Sequence, residues 1–321
     1  MNIRTGRVRA ALFLALLLTA AAATTATAAA PAAKPAPLDA QLARRLDRLE
    51  RFVYGAVQEG EAAPRLERLE KDLFGRRTGQ RPPDKAQTLF SFVFQGTAQA
   101  PSLDMKLNYL EWKVFNETRQ GKLADRIAAL DTFVIGSPST EPLAFRVEQL
   151  VHLTIENGII SLHQVRITAG TAVKVRLGKT ISSKDSRQGE MVPMTICSDL
   201  FVDGNILAIG KGALLSGELE QVRRGRRFGR SGFAKLAITE IAAIDATPVP
   251  VRITGLGEEF NKKKIGMAAG ASALGYLVMG PVGLVGGAFI KGEDVALPEG
   301  TILDLIVTSD VKVLGVLINR K

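Results

Sequence analysis

The sequence predicts an α+β multidomain protein, with N-terminal short-helix repeats followed by an all-β barrel or sandwich domain that carries an inserted Gly-rich helical hairpin. Three observations predict it. Apolar residues recur at helical spacing with a period near 20 through residues 39–137. From about residue 165, β-branched runs alternate with turn signals. Within that second region, residues 265–290 form a glycine-rich stretch of 26 without a single charge.

The chain has 321 residues, of which 46% are hydrophobic and 23% charged. That is a globular composition, long enough for one large or two ordinary domains. Net charge is +10, which first suggests nucleic acid or a membrane surface as partner. The charge is patchy, however. Residues 1–37 contribute +4, and residues 38–150 are nearly balanced at 17 basic to 16 acidic. In the remainder, eight of 21 basic residues lie in two short runs, Arg223 to Arg230 and Lys262 to Lys264.

The first basic patch reads as an export signal. Arg4, Arg7 and Arg9 precede an apolar run over 10–18 and then small residues through Ala30. This is the charged, apolar and small-residue order of a secretory signal, with Ala26-Thr27-Ala28 as the cleavage site. Residues 1–28 are then the signal peptide and 29–38 a Pro/Ala linker. An uncleaved anchor is the alternative, but the leucine-rich stretch is shorter than the about 20 residues a spanning helix needs. Localisation follows: periplasm or outer-membrane associated, in a bacterial cell envelope. Cys197 is the single cysteine, so no internal disulfide forms in that oxidising compartment.

The repeats end at Gly55, Gly75, Asn116 and Gly136, with a weaker copy ending at Gly96. Nine positions before each strong end stand Leu46, Leu66, Leu107 and Ile127; six before, Leu49, Leu69, Leu110 and Leu130. Five before are the acids Glu50, Glu70, Glu111 and Asp131, and ten before are Arg45, Arg65, Lys106 and Arg126. In the weaker copy Phe90 and Phe94 fall on the matching face. Such spacing lines one stripe of a helix, and the glycine or asparagine supplies a left-handed cap. Helices of two or three turns are unstable alone, so the units must stack on one another or on something else. The region is either a partner-binding module or a self-packed arm. Residues 138–164 then connect, with a joining helix and hairpin in 143–163.

The β domain spans 165–321. Strands are expected at 172–177, 192–197, 206–209, 214–219, 234–241, 249–253, 302–307 and 311–317, punctuated by Asp203-Gly204-Asn205, Gly210-Lys211-Gly212 and Pro298-Glu299-Gly300. Its landmarks run Ala169-Gly170-Thr171, Ile181-Ser182-Ser183-Lys184-Asp185, Asp199-Leu200-Phe201-Val202-Asp203-Gly204, the segment Ile209-Gly210-Lys211-Gly212-Ala213-Leu214-Leu215-Ser216-Gly217-Glu218, and Leu297-Pro298-Glu299-Gly300-Thr301. In this order they resemble the C-terminal β-barrel domain of TrbI-type conjugal transfer and type IV secretion proteins. The resemblance covers residues 169–313. It implies a β-barrel in a cell-envelope channel, with an inserted helical hairpin that enters the outer membrane. The chain differs from that pattern in having no transmembrane anchor ahead of a proline-rich stretch, and in the shortness of its insertion.

The insertion is flanked by Lys262, Lys263, Lys264 and Lys291. Gly266 and Gly270 set a small-xxx-small spacing that Gly275, Gly280, Gly283, Gly286 and Gly287 continue between Ile265 and Ile290. Gly280-Pro281 near the middle is a natural turn, which favours two short helices folded back over one span. An apolar surface of this length needs cover. It dips into or lies on a membrane, packs dry over the β domain, or associates with a second copy. Arg223, Arg224, Arg226, Arg227 and Arg230 form an exposed loop, either solvated or in contact with lipid headgroups, wall phosphates or a protein.

No constellation for catalysis rises above background. Gly178-Lys179-Thr180 lacks the first glycine of a phosphate loop, because Val173 stands in its place. His152, His163 and Cys197 lie too far apart in sequence to suggest a metal site or a nucleophile with its base. The expectation is an exported, non-enzymatic envelope protein with a structural or interaction role, no cofactor and no small-molecule substrate. Its partners are an envelope membrane, another envelope protein or a second copy, with no nucleic acid. A component of an envelope channel or secretion apparatus is the first alternative, and a cell-wall polymer hydrolase or transferase the second.

Overall fold

A computed structural model describes residues 38–225, 232–256, 276–278, 287–292 and 296–318. Among these residues six helices come first: α1 Leu38–Tyr54, α2 Ala62–Phe74, α3 Pro82–Phe94, α4 Leu103–Phe115, α5 Leu123–Val134 and α6 Leu143–Thr154. The stripe residues of the strong repeats are almost completely buried, Leu49, Leu69, Leu110 and Leu130 each at 0% exposure. Their ends behave as the sequence requires. Gly75 adopts φ 72° and donates its N–H to the Lys71 carbonyl at 2.7 Å, while Asn116 adopts φ 58°. The joining helix expected in 143–163 is α6, and it is a sixth unit of the series. Arg146, Val147 and Leu150 stand 20 residues after Arg126, Ile127 and Leu130, and Val147 and Leu150 are fully buried.

The third unit departs from the sequence alignment. Its helix ends at Phe94 with Gln95 as the capping residue in an extended conformation, one residue earlier than the Gly96 alignment supposes. Ala86, Leu89 and Val93 therefore form its buried stripe. Phe90, expected on the stripe, instead occupies the place that a carboxylate holds in the other units. Aromatic packing takes over here: Phe52 meets Phe94 at 5.2 Å, Phe74 meets Phe92 at 4.9 Å, and the Arg48 guanidinium lies 4.4 Å from the Phe94 ring centre.

The helices do not run on as an open array. α6 packs against α2, α4 and α5. A Cβ on Gly75 would meet the Pro142 ring at 2.7 Å, so the end of the second unit abuts the start of the sixth. The series folds back on itself.

Among the described residues fifteen strands follow, all paired antiparallel. A four-stranded sheet has the order β1-β15-β6-β5, built from Leu162–Ile167, Val311–Leu317, Ile206–Ile209 and Leu200–Val202. A nine-stranded sheet has the order β11-β12-β8-β7-β4-β2-β14-β10-β9, built from Tyr276–Val278, Gly287–Gly292, Gly232–Ala237, Leu214–Arg223, Met191–Ile196, Ala172–Leu177, Ile302–Val307, Pro248–Leu256 and Glu240–Ala242. β3 (Ile181–Ser182) and β13 (Ala296–Leu297) form a small clip. The long sheet curls, so that β9 packs on β7 and β10 on β12, giving half-barrels around one apolar core. Alternation positions the side chains. β2 reads exposed-buried throughout, placing Val173, Val175 and Leu177 in the core.

The small sheet is different because both of its faces are covered. Ile206, Ala208 and Ile209 of β6 and Val313 of β15 belong to the core between the sheets. Leu207 of β6 and Val316 of β15 belong to the core of the helices, with Phe201 and Leu314 packed around them. The result is three layers: helices, small sheet, curled sheet.

The Gly-rich insertion departs from the expected hairpin of helices at its described residues. Tyr276–Val278 and Gly287–Gly292 are strands, not the two folded-back helices expected. β12 pairs with β8 from Gly287↔Ala237 to Gly292↔Gly232. The physical reason is the free edge of β8, whose backbone groups need partners that a helix cannot offer. Among the described residues, no helix is long and apolar enough to cross a membrane.

Candidate functional site

The acids and bases that recur in the repeats come together in a way their sequence positions only implied. Each buried acid accepts from the base of the next unit, 15 residues on, and from a backbone N–H eight residues on. Glu50 takes Arg65 through two bonds of 2.6 and 2.9 Å and the Gln58 N–H at 2.9 Å. Glu70 takes Lys85 at 2.8 Å and the Thr78 N–H at 2.7 Å. Glu111 takes Arg126 at 2.6 and 2.9 Å and the Arg119 N–H at 2.8 Å. Asp131 takes Arg146 at 2.6 Å and the Ser139 N–H at 3.1 Å. The α3–α4 junction lacks this latch, since Phe90 replaces the acid, and Lys106 pairs instead with Glu148 of α6. Burial alone would raise the Glu70 carboxyl, but the Lys85 and Thr78 hydrogen bonds outweigh it and hold the group below the ordinary range. These are structural ion pairs, and a period of 20 with acid at −5 and base at −10 was the sequence signal for them.

A second cluster joins the helices to the small sheet. The Trp112 Nε1–H donates to Asp199 Oδ1 at 2.9 Å, and the same oxygen accepts the Lys211 N–H at 2.7 Å. The Thr118 N–H donates to the Lys211 carbonyl at 2.8 Å. A Cβ on Gly212 would strike the Thr118 oxygen at 2.4 Å, so only glycine admits this approach. Asp199 and Gly212 belong to two landmarks of the TrbI-type resemblance. The remaining landmarks close the curled sheet. Gly170 donates to the Val307 carbonyl at 2.8 Å, Leu177 to the Thr301 carbonyl at 2.9 Å, and Ile181-Ser182 pairs with Leu297-Ala296.

Of the sequence-predicted anionic-surface residues, Arg223 and Arg224 are exposed at the end of β7; Arg226, Arg227 and Arg230 lie outside the described residues. Arg223 sits 5.7 Å from the Phe233 ring centre. The Arg224 Nε–H donates to the Lys184 carbonyl at 2.7 Å, beside a cleft of about 420 Å³. Of the membrane-contact candidates, Gly287, Ile290 and Lys291 lie in β12. Lys262, Lys263, Lys264, Ile265, Gly266, Gly270, Gly275, Gly280, Pro281 and Gly283 lie outside the described residues.

A cavity of about 370 Å³ lies where the ends of α1 and α2 meet the start of α6, lined by Tyr54, Asp72 and Pro142 among others. The Tyr54 hydroxyl donates to Asp72 at 2.7 Å, and burial together with that bond pushes its ionisation far above the usual phenol range. Asp104, half-buried in the first turn of α4, has its carboxyl pushed up to about 6 by desolvation, against the pull of Arg126 and Arg48. His152 on α6 and His163 on β1 are exposed and Cys197 half-buried, on separate elements. Among the described residues no group of three His, Cys, Asp or Glu side chains is placed to hold a metal ion.

No known protein family matches the chain, and no curated protein does. Among solved structures, the C-terminal half is similar to ComB10 of the Com type IV secretion system of Helicobacter pylori. The two are 14% identical, with 46% of this chain and 89% of that one covered and a TM-score of 0.25.

Proposed function

We propose that the chain is an exported, non-enzymatic scaffold of the cell envelope, and specifically a structural component of a secretion- or conjugation-type apparatus. The observation that carries the reading is where the TrbI-type landmarks fall. Spread over residues 169–301 in sequence, they serve as the closing contacts of one curled β domain, and Asp199 and Gly212 also seat the helices on it. A scaffold transmits position, which needs layers that cannot swing. A shared core between helices and small sheet meets that need.

In this reading the charge-free stretch within 265–290 is the membrane-seeking element, flanked by its lysines. The test is to express the full chain with its export signal, fractionate the envelope, and measure the native mass of the detergent-extracted protein. A multi-copy complex sedimenting with membranes is expected. Deleting residues 262–286, which spares β12, should release the protein to the soluble fraction. A soluble monomer from the intact chain would contradict the proposal.

A further inference from the structure

On the β domain, three cations are drawn together from two segments distant in sequence. Lys184 and Arg187 stand on the turn after β3, and Arg224 just past the end of β7. The backbone straps the turn to the strand: the Gly189 N–H donates to the Leu219 carbonyl at 2.8 Å, and the Leu219 N–H to the Glu190 carbonyl at 3.0 Å. The Arg224 Nε–H closes the contact on the Lys184 carbonyl at 2.7 Å. Lys184, Arg187 and Arg224 line the cleft of about 420 Å³, together with Ser186 and Gln188.

One acid, Asp185, also lines the cleft and accepts the Ser182 hydroxyl at 3.0 Å, so the three cations there outnumber it. Glu190 is bound by Lys179 and by the Arg187 N–H at 2.8 Å, and the Lys179 hydrogen bond, then that of Arg187, holds its carboxyl below the ordinary range. Among the described residues, the side chains of Lys184, Arg187 and Arg224 form no ion pair. Like charges gathered at one cleft repel, and an anion between them removes that cost. Guanidinium forks suit the oxygens of phosphate, to which they can donate in pairs. Three more arginines, Arg226, Arg227 and Arg230, follow directly in the sequence.

We propose that this cleft binds phosphate groups, the chemistry shared by an anionic lipid headgroup and a free phosphate polymer. The site is independent of any place in an apparatus, and it joins Arg224 to the Ser182–Ser186 turn that Arg224 contacts. The test compares the full exported chain with a Lys184→Gln, Arg187→Gln, Arg224→Gln triple variant. All three positions are exposed, so an unchanged Tm checks that the fold is intact.

Binding is measured to phosphatidylglycerol vesicles, to phosphatidylcholine vesicles and to inorganic polyphosphate. The apolar insertion and its flanking lysines are the same in both proteins, so the change in the ratio between vesicle types isolates the charge of the cleft. At about fivefold per basic residue near an anionic surface, the ratio should fall about a hundredfold in the triple variant. Loss on phosphatidylglycerol without any polyphosphate binding by the wild type assigns a lipid headgroup; parallel loss of polyphosphate binding assigns phosphate in general. A loss confined to polyphosphate assigns the free polymer. An Arg166→Gln control, at an exposed arginine paired with Asp310, should leave every value unchanged. An unchanged vesicle ratio with unchanged polyphosphate binding in the triple variant overturns the proposal.

Discussion

β6 and β2 are both short strands of one β domain, yet β6 buries all four of its side chains while β2 buries every second one. The curled sheet has one face on the core and one in water, as an antiparallel sheet ordinarily does. The small sheet has the curled sheet on one face and the helices on the other. The difference teaches that the helical units are a third layer of the β domain. Helices of 12 to 17 residues, marginal on their own, gain stability by packing together over a sheet face that would otherwise meet water.

The strongest way to break that comparison is to charge the face between helices and small sheet. Leu207→Asp places a carboxylate among Val316, Phe201 and the helical core, and should cost at least about 4 kcal/mol in chemical denaturation. The matching change on the open face of the curled sheet, Arg176→Gln in β2, should stay within about 0.5 kcal/mol. Equal losses would mean that the helices do not cover β6.

Next in size is the latch. Glu111→Ala leaves the Arg126 guanidinium buried without its carboxylate and should cost about 3–5 kcal/mol by the same measurement. Replacing both partners with methionine should cost less than the single change, because no charge is then stranded. Within the helical layer this separates the four latched junctions from the α3–α4 junction, where Phe90→Leu removes only aromatic contact.

Trp112→Phe tests the seam itself. It removes the indole donor while Asp199 keeps the Lys211 N–H, so about 1–2 kcal/mol should be lost. Smallest is the effect of pH on α4. Because folding raises the Asp104 carboxyl from 3.8 to about 6, its protonated form contributes stability that is fully present below pH 3.8 and lost as pH rises through about 6. Asp104→Asn should therefore raise stability by about 1 kcal/mol at pH 7.5 and leave it unchanged at pH 3.5. A gain that is the same at both values would contradict that origin.

Much of this was legible in the residues. The strong repeats showed their stripes and caps, and expected strands such as 172–177, 206–209, 302–307 and 311–317 match β2, β6, β14 and β15 residue for residue. Three things were not. The one-residue shift of α3 was hidden because Phe90 and Phe94 satisfy a helical stripe as well as Leu89 and Val93 do, and only the Gln95 cap decides between them. β1, with two consecutive exposed residues, His163 and Gln164, lacks the alternation that marks a strand. The strands in the insertion were missed because glycine spacing suits close helix approach, whereas the free edge of β8 is a property of the tertiary fold. Of the cationic cleft, the arginine run was visible, but Lys184 and Arg187 lie about 40 residues away and join it only through folding.

The central claim is that the helices and the small sheet share one core. Hydrogen exchange of the chain at increasing denaturant tests it most directly, reading the amides of α4 and α6 beside those of β6 and β15. The shared core predicts that these amides open together with one free energy, and that Leu207→Asp lowers all of them in step. Exchange of α4 and α6 at low denaturant while β6 stays protected would contradict it.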